Sequence, residues 1–262
     1  MSTEPITLEI LANHVGVITL DHQSSRNSLS LAMLQELEQR LLEAEQHPAI
    51  HVLIIRAKGP AFSAGHNLKE IKQAFGDPKQ HQALFDQCSK VMQQVVNLDL
   101  PVIAEVSGVA TAAGCQLVAS CDLAVAAESA RFATPGVNIG LFCSTPMVAL
   151  SRVVSPKHAL EMLLTGEMIS ATQAAAMGLI NHAVDNSALA DFTVALAEKI
   201  ASKSPATLKL GKHAFYQQLN MPLAEAYRYT GQVMVDNLTQ ADAMEGIDAF
   251  IAKRPAQWQA KQ

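Results

Sequence analysis

The sequence predicts an α/β fold, and two observations carry that prediction. The first is a strand–turn–helix unit that recurs. The strand-like run HVLIIRA at 51–57 passes through Gly59-Pro60 and the small, polar stretch FSAGHNLKE (62–70) into a helix. About fifty residues on, PVIAEVS (101–107) passes through VATAAG into the apolar helical segment CQLVAS, and a shorter third unit, DLAVAA then RFATPGVNIG, comes directly after. Strands alternating with helices imply parallel pairing. The second observation is a switch to helix alone from about residue 196. The chain therefore divides into residues 1–195, which carry the sheet, and a helical portion, 196–262. No Gly/Ser-rich linker separates them, so they are expected to fold as a unit.

The elements follow in order. Alternation in ITLEILANHVGVITL, with a turn at Asn13-His14, predicts a β-hairpin over about residues 6–20. Ser30 is a candidate cap for a helix whose Leu34, Leu37 and Leu41 recur at helical spacing. Asn67 stands as an N-cap with Glu70 three residues on, the spacing of a capping box. In the C-terminal helices the repeated Ala, Met and Tyr positions exceed what is needed to cover one domain. They suggest packing between subunits, with a purely intrachain cap as the alternative.

Composition limits the function. At 262 residues and 49% hydrophobic content the chain can build a large core. A net charge of −5 without a basic run gives no footprint for nucleic acid. Asp122, Glu105 and glycines interrupt the longest apolar stretches, so no membrane span is expected. The first ten residues lack the pattern of a targeting segment, so the expected location is cytoplasmic, or the mitochondrial matrix for a processed organellar form. Cys88, Cys115, Cys121 and Cys143 lack CxxC spacing and read as reduced core residues. His14, His22, His47, His51, His81, His158, His182 and His213 form no HxH or HExxH pattern, so no metal site is expected.

The two small-residue turns are the candidate site. Each leaves unpaired N–H groups at the start of a helix, where partial positive charge gathers. If the preceding strands are parallel neighbours, both turns open on one edge of the sheet, and two converging donors can form an oxyanion hole. Tight turns of this kind also serve plain strand–helix junctions, so the spacing alone leaves both readings open.

GPAFSAGHNLKE followed by PVIAEVSGVATAAGCQLVASCDLAVAAESARFATPGVNIGL, with EGIDAFIAKRPAQW near the end, resembles the enoyl-CoA hydratase/isomerase (crotonase) superfamily over nearly the whole chain. The resemblance implies a spiral of ββα units with a C-terminal helical trimerisation region, assembled as a trimer or dimer of trimers. It implies an acyl-CoA thioester as partner, CoA being part of the substrate, with no prosthetic group. Its carbonyl would lie between the backbone N–H of His66, after Ala64-Gly65, and that of Ala113, before Gly114. By the same resemblance Ser24, Ser25 and Arg26 would meet the adenine end. Asn67, Leu68, Lys69, Phe250 and Lys253 would neighbour the pocket or diphosphate.

The departures from the family pattern matter more. Hydration in the family uses two glutamates, and their positions here are Gln116 and Gly136. General acid and base groups are worth roughly 10²–10⁴-fold each, so two-glutamate hydration is disfavoured. Ser144 stands at the acid position of dienoyl-CoA isomerases. What remains resembles the decarboxylases of malonyl-type CoA esters, although their carboxylate-orienting tyrosine falls at Phe142. A lyase or isomerase working through an enolate and a non-catalytic acyl-CoA-binding protein both stay open. So do two roles for His66, as proton carrier or as N–H donor alone. Gln116 is a candidate to hold a water or a substrate polar group, and Cys143 with Ser144 to line the acyl pocket. Glu105 reads as displaced acid/base machinery, as an internal salt bridge or as a partly exposed edge residue, and Asp122 as a structural cap or pair.

Overall fold

The computed structural model describes residues 4–259 and 261; Met1–Thr3 of the stretch read for targeting lie outside them. The chain begins with the expected hairpin. β1 (Ile6–Ile10) and β2 (Val15–Leu20) run antiparallel, and Asn13 and His14 make the reversal at φ 60° and 67°. In α1 (Leu31–Gln46) the Ser30 side chain accepts from the Met33 N–H at 3.2 Å, and Leu34, Leu37 and Leu41 are buried.

The chain then winds three times. The first turn is β3 (Val52–Ala57), β4 (Ala61–Ser63), α2 (Leu68–Gln73) and α3 (Pro78–Asn97). The second is β5 (Val102–Val106), β6 (Val109–Thr111) and α4 (Ala113–Ser120). The third is β7 (Leu123–Ala127), β8 (Arg131–Ala133), a 3-10 turn at Pro135–Ile139 and α5 (Ser144–Val153). There follow α6 (Pro156–Thr165), β9 (Ile169–Ser170), α7 (Ala171–Met177), β10 (His182–Val184), α8 (Leu189–Ala201), α9 (Pro205–Gln218), α10 (Leu223–Leu238) and α11 (Ala241–Ile251). Each winding gives its first strand to a six-stranded sheet, order β1-β2-β3-β5-β7-β10, and its second to a four-stranded sheet, order β4-β6-β8-β9. The successive windings pair in parallel in both sheets.

The larger sheet is covered on both faces. Val17, Val52, Ile54, Ile103 and Val125 pack with Leu189 and Ala197 of α8, while Ile18, Leu53, Ile55, Ala104 and Ala126 face the main core with Phe62, Phe132 and Leu34. Two buried faces explain why HVLIIRA is an unbroken apolar run rather than an alternating one. α8 also moves the boundary read from the sequence. Residue 196 lies inside α8, a helix that roofs the sheet, so the helices standing apart from it are α9, α10 and α11.

A buried cluster locks α9 to the core. Lys212 donates to Val95 O at 3.1 Å and Leu100 O at 2.8 Å, and pairs with Asp122 at 2.8 Å. Asp122 also accepts from the Tyr216 hydroxyl at 2.8 Å and from the Val102 N–H at 2.7 Å. Asp122 thus has the structural role expected of it. α10 buries none of its residues, and Leu223, Tyr227 and Met234 stand 74%, 73% and 59% exposed. Among the described residues no helix is long and apolar enough to cross a membrane.

Candidate functional site

The site is built by two neighbouring parallel strands, β4 and β6, whose C-terminal ends run into α2 and α4. Small residues let these two turns abut. A Cβ on Gly65, itself at φ +86°, would come within 2.8 Å of Ala112 Cβ and 3.3 Å of the Ala113 nitrogen. A Cβ on Gly114 would lie 2.3 Å from Ser63 O, a distance no side chain can occupy. Ala112 precedes α4 at φ 49°, ψ −118°, a conformation an L-residue adopts under strain. Ala113 and Gly65 are buried, and neither the His66 N–H nor the Ala113 N–H donates to another group among the described residues. Two unspent backbone donors therefore lie just beyond the C-terminal ends of the paired strands β4 and β6.

The expected capping box does not form. Asn67 accepts from the Lys69 N–H at 3.0 Å and caps α2 as predicted, but Glu70 turns away from it. Its two oxygens each lie 3.2 Å from the Leu31 N–H, at the first residue of α1. A carboxylate there meets the positive end of a second helix, which the local spacing could not reveal.

That contact belongs to a seam between the turn and the loop carrying Ser24, Ser25 and Arg26. Ala64 N–H donates to Arg26 O at 3.0 Å and Leu29 N–H to Gly65 O at 2.8 Å. Asn27 is fully buried and donates to Lys58 O and Ala61 O at 2.9 and 2.8 Å, while accepting from the His22 N–H at 2.7 Å. Arg26 and Asn27 both hold left-handed φ, 54° and 53°. Sequence reading passed over Asn27; its signal is an amide residue tolerant of that region two positions before the buried Leu29.

His66 answers as a side chain too. Its Nδ1 lies 3.0 Å from Leu29 O, and a carbonyl only accepts, so Nδ1 carries the proton. Nε2 is buried without a partner among the described residues, a cost of roughly 1–3 kcal/mol for an unpaired polar atom. Burial holds the imidazole's pKa below its usual value, so it is neutral. Its ring meets Phe85 of α3 edge-on, centroids 5.3 Å apart. One turn further along α3, Cys88 Sγ lies 4.0 Å from Gln116 Oε1. Phe85 and Cys88 thus bring α3 to the site, a role the sequence did not disclose.

At the two glutamate positions the structure places no carboxylate. Gln116 is 4% exposed inside α4. A Cβ on Gly136 would lie 2.5 Å from Leu141 O and 2.9 Å from Cys143 Sγ, so the loop leaves no space for a side chain. Cys143 is buried beside Gly136, whereas Phe142, 44% exposed, and Ser144 lie at the surface. All four cysteines are free and buried, as expected. Burial pushes the Cys88 and Cys115 thiols up to about 12, so they are neutral.

Other candidates lie elsewhere. Glu105 alternates with the inward-facing Ala104 and shares its face of the sheet with Ile103, under α8. It is buried, not at an exposed edge, and forms no salt bridge among the described residues: Arg56 bonds Thr19 and Glu9 instead, and burial raises the Glu105 pKa. Ser24, Arg26, Leu68 and Lys69 are exposed around the turns. Phe250 and Lys253 are exposed at the end of α11, which packs against α9 and α10. A cavity of about 390 Å³ opens near His51 and Leu100, at the opposite ends of the strands. Its Asp99 is already paired with Lys209 and His213. No cluster of metal-ligating side chains occurs among the described residues.

Paired strand–turn–helix windings that bring two backbone donors to one sheet edge define a crotonase-type α/β protein. The chain belongs to that class, the enoyl-CoA hydratase/isomerase family, whose model matches residues 11–261. It is 48% identical to the Xenopus laevis enoyl-CoA hydratase domain-containing protein 3, mitochondrial, over 97% of this chain and 86% of that one. Among solved structures it resembles human enoyl Coenzyme A hydratase domain-containing protein 3, with a TM-score of 0.94 and 50% identity over 97% of this chain and all of the other. The enoyl-CoA hydratase of Mycobacterium smegmatis also superposes with a TM-score of 0.94, at 42% identity over 98% and 99% of the two chains.

Proposed function

We propose that this protein binds an acyl-CoA thioester with its carbonyl between the N–H groups of His66 and Ala113 and stabilises the thioester enolate. It does so without two-glutamate hydration. The observation that carries the reading is the abutment of the two turns with both N–H groups unspent. Removing one such donor costs roughly 3–4 kcal/mol of transition-state stabilisation in enzymes that use them. The loop of Ser24, Ser25 and Arg26 takes the adenine end, and Gln116, Cys143 and Phe142 border the acyl group.

Gln116 and Gly136 supply no acid or base, so the reaction that suits the site generates the enolate by breaking a carbon–carbon bond. Loss of CO₂ from a malonyl-type thioester does this. The electrons of the breaking bond pass to the thioester oxygen, CO₂ leaves, and a proton from water later returns to the α-carbon. The protein works as a homo-oligomer, a reading supported by the exposed apolar residues of α10, Leu223, Tyr227 and Met234.

Turnover assays on crotonyl-CoA and on malonyl- and methylmalonyl-CoA test this, together with calorimetry on each thioester. The expected result is thioester binding with CO₂ release and no hydration above background. Hydration at ordinary enzyme rates refutes the chemistry, and absence of thioester affinity refutes the reading altogether. Binding without turnover leaves a protein that sequesters acyl-CoA and refutes the enzymatic part alone.

A further inference from the structure

The fate of the two imidazole nitrogens at position 66 goes beyond the backbone role. Nδ1–H is spent on Leu29 O at 3.0 Å, while Leu29 N–H is spent on Gly65 O at 2.8 Å. Leu29 is therefore gripped from both sides by the same turn, through its donor and its acceptor. Ala64 N–H on Arg26 O, Asn27 Nδ2 on Ala61 O and Leu31 N–H on Glu70 extend the same seam. Segment 26–31 and segment 61–70 are thus joined by a continuous row of hydrogen bonds. Nε2, the nitrogen a general base would use, has no exposed surface and no partner among the described residues, and the ring stands edge-on to Phe85.

We propose that the His66 side chain is a positioning residue: its Nδ1–H bond to Leu29 O clamps the donor turn to the loop after Arg26 and fixes the direction of the residue 66 N–H. The inference rests on the reading of that N–H as a thioester donor. One residue then does two things, presenting an N–H to the ligand and using its ring to set where that N–H points. Displacing such a group by about 1 Å is enough to cost on the order of 10²-fold.

The test compares His66→Ala with His66→Asn. Asparagine carries a side-chain N–H at the same distance from Cα as Nδ1, so it can donate to Leu29 O, but it cannot act as a base. The probe is acetoacetyl-CoA, whose enolate absorbs in the near ultraviolet, with hydrogen exchange of the Leu29 amide as a ligand-free readout. His66→Ala is expected to weaken the enolate band and the affinity about 10²-fold and to speed Leu29 exchange. His66→Asn is expected to restore most of each. Retention of band, affinity and protection in His66→Ala overturns the proposal. An asparagine variant as impaired as alanine overturns it in favour of imidazole chemistry. If the wild-type protein shows neither band nor affinity, the thioester reading has failed. Leu29 exchange then decides the clamp alone, and unchanged protection in His66→Ala rejects it.

Discussion

Gly136→Ala is expected to destabilise the protein although it adds a single methyl group. The new Cβ would stand 2.5 Å from Leu141 O and 2.9 Å from Cys143 Sγ. The nearer neighbour is backbone, and it is held in place, because Leu141 N–H donates to Gly136 O at 2.9 Å. Relief requires the 136–143 loop to move, and such overpacking costs about 1–3 kcal/mol. For a chain of this size that corresponds to a fall in melting temperature of roughly 2–12 °C. Denaturant unfolding is the sharper assay, since a midpoint that drops with unchanged slope reports stability alone. The functional consequence is larger. Combining Gly136→Glu with Gln116→Glu restores the family's residue types, and an undistorted pair would be worth roughly 10⁴–10⁸-fold. We expect less than about tenfold gain in crotonyl-CoA hydration, far short of that value for general acid–base groups. A wild-type unfolding midpoint for Gly136→Ala, or a hydratase produced by the double variant, refutes the reasoning.

Three further outcomes follow from buried polar groups. Lys212→Ala removes the partner of Asp122, whose pair is 6% and 16% exposed, and a broken buried pair costs about 3–5 kcal/mol; a loss below about 1 kcal/mol in denaturant unfolding contradicts it. Asn27→Ala frees Lys58 O, Ala61 O and the His22 N–H, which at typical values for unmade bonds costs about 3 kcal/mol; a thermal scan matching wild type sinks this. His51 has its pKa held below the ordinary 6.5, first by burial and then by the stacked His14 ring. Below pH 6.5 the unfolded chain therefore binds a proton that the native state refuses, so stability falls on acidification, by up to about 1.4 kcal/mol per pH unit. His51→Gln should flatten that slope just below pH 6.5, and an unchanged slope argues against it.

What the sequence made legible was local. Ser30 and Asn67 cap their helices because an N-cap needs only its own side chain and the next turn's N–H groups. The hairpin at Asn13-His14 is likewise a short-range matter of left-handed φ. Glu70 looked like a capping partner by spacing, but its oxygens go to Leu31, 39 residues away. The boundary near 196 falls inside α8 for a related reason: α8 is apolar on one face like any C-terminal helix, and only the sheet beneath it tells which layer it joins. Lys212, which no local spacing singles out, is buried against Val95, Leu100 and Asp122 from distant parts of the chain. At the site, residue types revealed the missing carboxylates, whereas the closure of the Gly136 loop and the hold on Leu29 exist only once distant segments meet.

The two lost glutamates differ physically, and one variant isolates the difference. Position 136 has lost the space for a side chain, but position 116 has kept it: glutamine and glutamate share a shape, and Gln116 sits 4% exposed with Oε1 toward Cys88. Gln116→Glu should therefore fold without overpacking while burying a carboxyl beside a thiol that is itself neutral. Burial disfavours the ionised form, so this carboxyl titrates above the ordinary glutamate value. The native state then holds a proton that the unfolded chain has already released. Relative to wild type, the variant loses stability as pH rises from the unfolded carboxyl's pKa of about 4.3, and the loss levels off once pH passes the raised native value. Denaturant unfolding of both proteins between pH 4 and 8 reads this directly. A stability difference that stays constant across that range means the carboxyl ionises freely, and α4 is then wetter than its burial indicates.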